Sequence, residues 1–226
     1  DLEYNALNLA NKKGLKTISV VDSWVSIESD KNRFIRNSAQ ELPNEVWTIS
    51  SRIKIEIDKL YTSLKVVTMN NSYLNNQLKL ISDVTVSNSS NILFLMEPRG
   101  KRFKDPDTKG EFKAFEYFLK NINLITTKED LKIVIKPHPS DYKGKYDTIK
   151  YDTRFNVSVD EKSELWELIS WSNIVVGMES YAMEVALESG RKVYSCLSPD
   201  LEMVSLRDPR VIRLSNLENA GKFITK

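Results

Sequence analysis

Ile133-Val134-Ile135-Lys136-Pro137-His138-Pro139-Ser140 is the stretch that decides how this chain is read. A short β-branched run bounded by turn residues is the mark of a buried strand. Here it ends in a histidine held between two prolines. Each proline fixes its own φ and pushes the residue before it toward extended geometry. The imidazole of His138, the only one in the sequence, is thus aimed rigidly past the carboxyl end of an expected strand. In open α/β sheets, ligands bind at that end.

The flanking sequence repeats the same rhythm. Upstream, residues 91–96 read as a strand, 97–102 as a basic turn and 110–123 as a helix with Phe112, Phe115, Leu119 and Ile122 on one face. Downstream come a strand at 155–159, a helix at 163–172 with Leu165, Leu168 and Ile169 inward, and a strand at 173–178. A helix at 180–189, a strand at 192–197 and a last strand at 211–214 before a terminal helix complete the series. Strands alternating with helices imply a parallel sheet with right-handed crossovers.

The first third follows a shorter version of the pattern. A helix at 2–12 leads into a strand at 17–22, followed by strands at 45–50 and 65–70. Ser51 is expected to cap a helix at 52–64, and a further helix spans 73–82. Residues 82–91 are rich in Ser and Asn, carry no helical stripe and read as a linker. The expected architecture is α/β with two Rossmann-like units, 1–82 and 83–226, and a ligand crevice between them. The chain opens on Asp1 and a helix where an α/β unit usually opens on a strand, so the N-terminal unit is expected to be incomplete.

Composition narrows the function. At 226 residues the chain is long enough for one large domain or two small ones. With 33 basic and 31 acidic side chains, it lacks the charge of a general nucleic-acid binder. A single cysteine, Cys196, excludes an internal disulfide, and with a lone histidine it argues against a transition-metal site. No apolar stretch is long enough to span a bilayer and no signal peptide is visible, so a cytoplasmic protein is expected.

Four constellations bear chemistry. His138 can donate to a phosphate or carboxylate, or protonate a leaving oxygen, with Lys136 adding charge and Ser140 a hydroxyl. The plainer reading is a surface loop histidine. In the run 173–190, a strand ends at Gly177-Met178 and a helix starts near Glu179-Ser180. Exposed amides and the helix dipole there favour an anion. Gly177 permits close backbone approach, Ser180 caps the helix or binds phosphate, and Glu184 lies one turn along to accept from ribose hydroxyls. The alternative makes Ser180 an ordinary cap and Glu184 and Glu188 solvated charge. Arg99, Lys101 and Arg102 either neutralise a diphosphate or form a solvated loop. Asp22, at a strand end before Ser23-Trp24, is a candidate general base or an Asx turn. Arg33 and Arg36 are weaker candidates for holding an acidic acceptor.

Together these features resemble the two-domain GT-B glycosyltransferase superfamily. Lys136-Pro137-His138-Pro139 resembles the His-Pro motif of bacterial sialyltransferases, polysialyltransferases and related capsule enzymes. The run from Gly177-Met178-Glu179-Ser180 to Gly190-Arg191-Lys192-Val193 resembles the superfamily's donor-domain pattern. The resemblance covers mainly 91–226. It departs at Met178-Glu179, where a small residue is more typical, and in lacking a glycine-rich N-terminal turn and an Asp/Glu-rich motif. It implies an acceptor-side domain at 1–82 and a nucleotide-sugar donor domain at 83–226. Residue by residue, it implies that His138, Ser180 and Tyr181 contact the donor phosphate and that Glu184 binds the ribose.

The function implied is transfer of a sugar, of sialic-acid type among the options, from a CMP- or UDP-linked donor to a glycan or lipid-linked acceptor in surface polysaccharide synthesis. No cofactor is implied, and cations and helix amides take the place of a metal. Peripheral association with the inner face of the membrane fits such acceptors. Two alternatives share the scaffold: a sugar-nucleotide epimerase or hydrolase of the UDP-N-acetylglucosamine 2-epimerase type, and a non-catalytic nucleotide-sugar-binding module.

Overall fold

The structure, a computed structural model, describes residues 2–21, 35–36, 39–40, 42–82, 91–98, 110–128, 130–147, 149, 155–197 and 208–224. It falls into two compact units, Asp1–Tyr73 and Leu74–Lys226.

The first unit opens with α1 (Leu2–Lys12), none of whose residues is buried. Its sheet holds three parallel strands, β1 (Ile18–Val21), β4 (Glu45–Thr48) and β5 (Lys65–Thr68), in the order β1-β4-β5. A two-residue antiparallel pair, β2 (Ile35–Arg36) and β3 (Ala39–Gln40), lies between β1 and β4 in sequence. Helix α2 (Ser51–Leu60) turns Ile53 and Ile57 into a core with Val21, Val46, Tyr61, Leu64 and Val66. The helix starts one residue earlier than Ser51 capping requires. Extended Ser50 takes the cap position without a side-chain bond, and Ser51 is the first helical residue.

α3 (Ser72–Ser82) begins at the end of the first unit, but its Leu74 and Ile81 pack into the core of the second. The contact boundary therefore falls at the start of this helix, whereas the sequence suggested its end.

The second unit is a six-stranded sheet, parallel throughout: β6 (Asn91–Leu95), β7 (Lys132–Lys136), β8 (Asn156–Val159), β9 (Ile174–Gly177), β10 (Lys192–Ser195) and β11 (Ile212–Arg213). Across the sheet they run β11-β10-β9-β6-β7-β8. Counted within the unit this is 3-2-1-4-5-6, the doubly wound Rossmann order. Every residue of β6 is buried, as a central strand covered on both faces demands. Helix α4 (Gly110–Asn121), continued by a 3-10 turn over Ile122–Leu124, sets Phe115 and Phe118 on Phe94 of β6. The ring centroids are 4.8 and 5.2 Å apart.

α5 (Leu165–Trp171) buries Leu168 and Ile169 and starts with a capping box between Glu164 and Glu167. The Arg191 side chain donates to the Ile169 carbonyl at 2.9 Å, closing the other end of that helix. α6 (Tyr181–Glu188) joins β9 to β10, and α7 (Leu214–Ile224) closes the chain. Tyr117 on α4 donates to Glu218 on α7 at 3.0 Å. Burial and that carboxylate push the phenol up to about 12. Among the described residues, no helix is long and apolar enough to cross a membrane.

Candidate functional site

In a doubly wound sheet the order reverses between the first and fourth strands, and the crevice at their carboxyl ends is the expected ligand site. Here those strands are β6 and β9, with β7 on the other side of β6. The sequence thus puts three loops at this edge: Met96-Glu97-Pro98 after β6, Pro137-His138-Pro139-Ser140 after β7 and Met178-Glu179-Ser180 after β9.

Glu97, 5% exposed, reaches across the reversal point. Its Oε1 accepts from the amides of Met178 at 2.9 Å, Glu179 at 3.0 Å and Ser180 at 3.0 Å, and Oε2 accepts from Glu179 at 3.1 Å. The anion-seeking amides at the start of α6 therefore hold a carboxylate of the chain itself. Gly177 makes this possible. A Cβ there would lie 3.2 Å from Glu97 Oε1 and 2.9 Å from Met183 Sδ. The loop is fixed from the next strand, where Ser195 Oγ donates to the Met178 carbonyl at 2.8 Å and the Cys196 amide to the Gly177 carbonyl at 2.8 Å. Burial, with Glu97 nearby, pushes the Cys196 thiol well up, so it is an inert core group.

Ser180 occupies the N-cap position of α6, but its side chain makes no capping bond. Its Oγ is buried with no hydrogen-bond partner among the described residues. Tyr181 is half-buried against the core. Glu184 is 5% exposed, and not the solvated charge that its position in an acidic run suggests.

The His138 turn is built on buried charge. Asp141 accepts from the His138 amide at 2.9 Å and from the Tyr146 hydroxyl at 2.7 Å, while its own amide donates to the His138 carbonyl at 2.9 Å. Lys145 bridges Asp141 at 2.5 Å and Glu111 of α4 at 2.7 Å, and all three side chains are at least nine-tenths buried. Burial alone would push the Asp141 carboxyl up, yet the bonds from Lys145, Tyr146 and the His138 amide outweigh it and hold it low. Burial likewise opposes the Lys145 charge, but Asp141 and Glu111 hold its pKa up. Tyr146, fully buried, is pushed up by burial and by Asp141. On top of this base, His138 Nδ1 lies 2.8 Å from Ser140 Oγ and 3.2 Å from the Ser140 amide.

Lys136 turns the other way. Its ammonium donates to the Ser163 carbonyl at 2.6 Å. Asp160, which accepts from the Lys162 and Ser163 amides and the Ser163 hydroxyl, holds that loop in place. Lys136 thus adds positive potential beside the turn while being bonded to the β8–α5 loop.

The structure brings His138 and Ser140 together on the turn after β7, whereas Lys136, the last residue of that strand, bonds the β8–α5 loop; Gly177 ends β9, and Ser180, Tyr181 and Glu184 follow at the start of α6. Asp22, Arg99, Lys101, Arg102 and Arg33 lie outside the described residues, and Arg36 is described only as part of β2. Sequence reasoning missed Glu97, Glu111, Asp141, Lys145 and Tyr146. Glu97 was hidden in a turn read for its cations. Its signal is a carboxylate placed two residues past a strand with no exposed position. Asp141 and Lys145 are spaced for a local pair, with Asp141 three residues after His138.

No protein-family model matches the chain, and no curated protein does. Among solved structures, the chain is similar to the beta Kdo 2,7 transferase KpsC of Thermosulfurimonas dismutans. The likeness is 17% sequence identity and a TM-score of 0.39, over 93% of this chain and 77% of that one. The doubly wound strand order of the second unit gives its fold.

Proposed function

We propose that the second unit binds a nucleotide sugar, CMP- or UDP-linked, and that the chain is a glycosyltransferase acting on a glycan or lipid-linked acceptor in surface polysaccharide synthesis. The observation that carries the reading is the position of His138. The sole imidazole of the chain sits at the carboxyl edge of a doubly wound sheet, one strand from the reversal point, on a turn braced by buried charge. The resemblance to the His-Pro motif supplies the reaction class.

In this reading His138 donates to an oxygen of the donor phosphate. As the glycosidic bond breaks, negative charge grows on that phosphate, and a fixed donor stabilises it without reorganising. Lys136 contributes at longer range. Ser180, whose hydroxyl has no partner among the described residues, and Tyr181 complete the phosphate side, and Glu184 accepts from the ribose. Glu97 already holds the α6 amides, so it fixes the loop that carries Ser180. Independence of metal belongs to the same proposal.

A thermal-shift panel of CMP, CDP, UDP, GDP and ADP, each with magnesium and with EDTA, tests it, because a ligand of the folded state raises the melting temperature. One nucleotide is expected to give a shift that EDTA leaves unchanged. His138→Ala should weaken that nucleotide by about ten-fold or more, with the ligand-free melting temperature unmoved. Equal affinity in mutant and wild type would remove His138 from the site. Binding without sugar transfer to any acceptor glycan would leave a nucleotide-sugar-binding module.

A further inference from the structure

The two contacts on His138 Nδ1 differ in what they permit. Ser140 Oγ, 2.8 Å away, can give or take a proton. The Ser140 amide, 3.2 Å away, can only donate. A protonated Nδ1 would point its hydrogen at another hydrogen, so Nδ1 must present its lone pair and the ring proton of a neutral imidazole must reside on Nε2. Nε2, across the ring, cannot reach the same amide, so the arrangement has no mirror version.

We infer that Ser140 is a positioning residue that locks His138 as the Nε2–H tautomer, so that the ring meets an oxyanion of the ligand as a hydrogen-bond donor. The inference rests on the reading of His138 as a phosphate contact. It changes the part played by Ser140, whose hydroxyl and amide are both spent on the ring. It also removes His138 as a base acting through Nε2 in the free protein, because that nitrogen already carries its proton. The lock depends on a fixed turn, and Asp141 supplies that by bonding the His138 amide while its own amide bonds the His138 carbonyl.

A sole histidine makes the test unambiguous. Long-range proton–nitrogen correlation on the whole chain, labelled with nitrogen-15 histidine and held near pH 8 where an ordinary imidazole is neutral, reads both ring nitrogens of one residue. The comparison is a short peptide of sequence Lys-Pro-His-Pro-Ser. Wild type is expected to show a larger Nε2–H population than the peptide, and Ser140→Ala, which loses the hydroxyl but keeps the amide, to fall part of the way back toward it. A wild-type ring matching the peptide, or carrying its proton on Nδ1, overturns the inference. Titration with CMP and with UDP supplies the second arm: Ser140→Ala should weaken whichever binds by roughly two- to ten-fold. Unchanged affinity in that variant would overturn the part given to the Ser140 hydroxyl. A locked ring in a protein that binds neither nucleotide would uphold the tautomer and sink the phosphate reading instead.

Discussion

Glu97 shows how much one side chain settles. Three successive amides at a helix start need an acceptor, and the chain provides its own. Glu97→Ala should therefore lower stability by about 3 kcal/mol, the cost of stranding buried donors and losing charge-assisted bonds. Urea unfolding monitored by circular dichroism would measure it. Gly177→Ala drives a Cβ toward Glu97 Oε1 and Met183 Sδ. The Met183 tip is flexible, so a loss of about 1–2 kcal/mol is expected. The two changes act on one contact, so their combination should cost less than their sum. Strict additivity in the double mutant would mean that Gly177 serves something other than the seating of Glu97.

At the scale of elements, α4 carries the clearest lesson. Its apolar spacing announced a helix, and the helix is there. The expected face was Phe112, Phe115, Leu119 and Ile122, but the deepest positions are Ala114, Phe115, Phe118 and Ile122, with Phe112 and Leu119 at the flanks. The stripe that meets the sheet also passes through Glu111. A charge on an inward stripe misleads any reading by hydrophobicity, because its partner Lys145 is supplied by a loop far along the chain. Strands in the second unit were legible to within one or two residues, since buried β-branched runs bounded by turn residues have few other homes. The β2–β3 pair was not, because two-residue strands show no period. Within the candidate site, His138 and the β9–α6 unit were legible from local spacing, whereas the Glu97 and Glu111 contacts depend on strand order and chain crossing. Lys145→Met should cost about 3–5 kcal/mol, because Glu111 and Asp141 would then face each other unneutralised in the interior. Replacing Glu111 by Leu in the same chain should restore part of it, which differential scanning calorimetry would resolve.

At the scale of the whole molecule, each unit holds a carboxylate kept below its ordinary value, and the one in the first unit has the simpler surroundings. In the first, Glu45 on β4 accepts from Lys65 at 2.9 Å and pairs with Lys16 at 2.8 Å, with the Trp47 indole as a third donor. Lys16, then Lys65 and Trp47, hold its pKa near 2 against an ordinary 4.5. The unfolded chain therefore takes up a proton first as pH falls. The contribution is full above about 4.5 and is lost on the way down to about 2. Both lysines are largely exposed, so the effect is modest and shrinks with salt. Urea midpoints of wild type and Glu45→Gln should converge between pH 5 and the acid limit; a constant gap would rule the carboxylate out. The strand order of the second unit has a consequence for how the chain is made. β6 is synthesised first and paired early on one side by β7, but its other neighbour, β9, leaves the ribosome some eighty residues later (the span from Leu95 to Ile174). For that interval the run Asn91-Ile92-Leu93-Phe94-Leu95 presents an open, almost wholly apolar edge to solvent or to any neighbouring nascent chain. A strand that becomes the most sheltered part of the finished protein is thus the most adhesive part of the unfinished one.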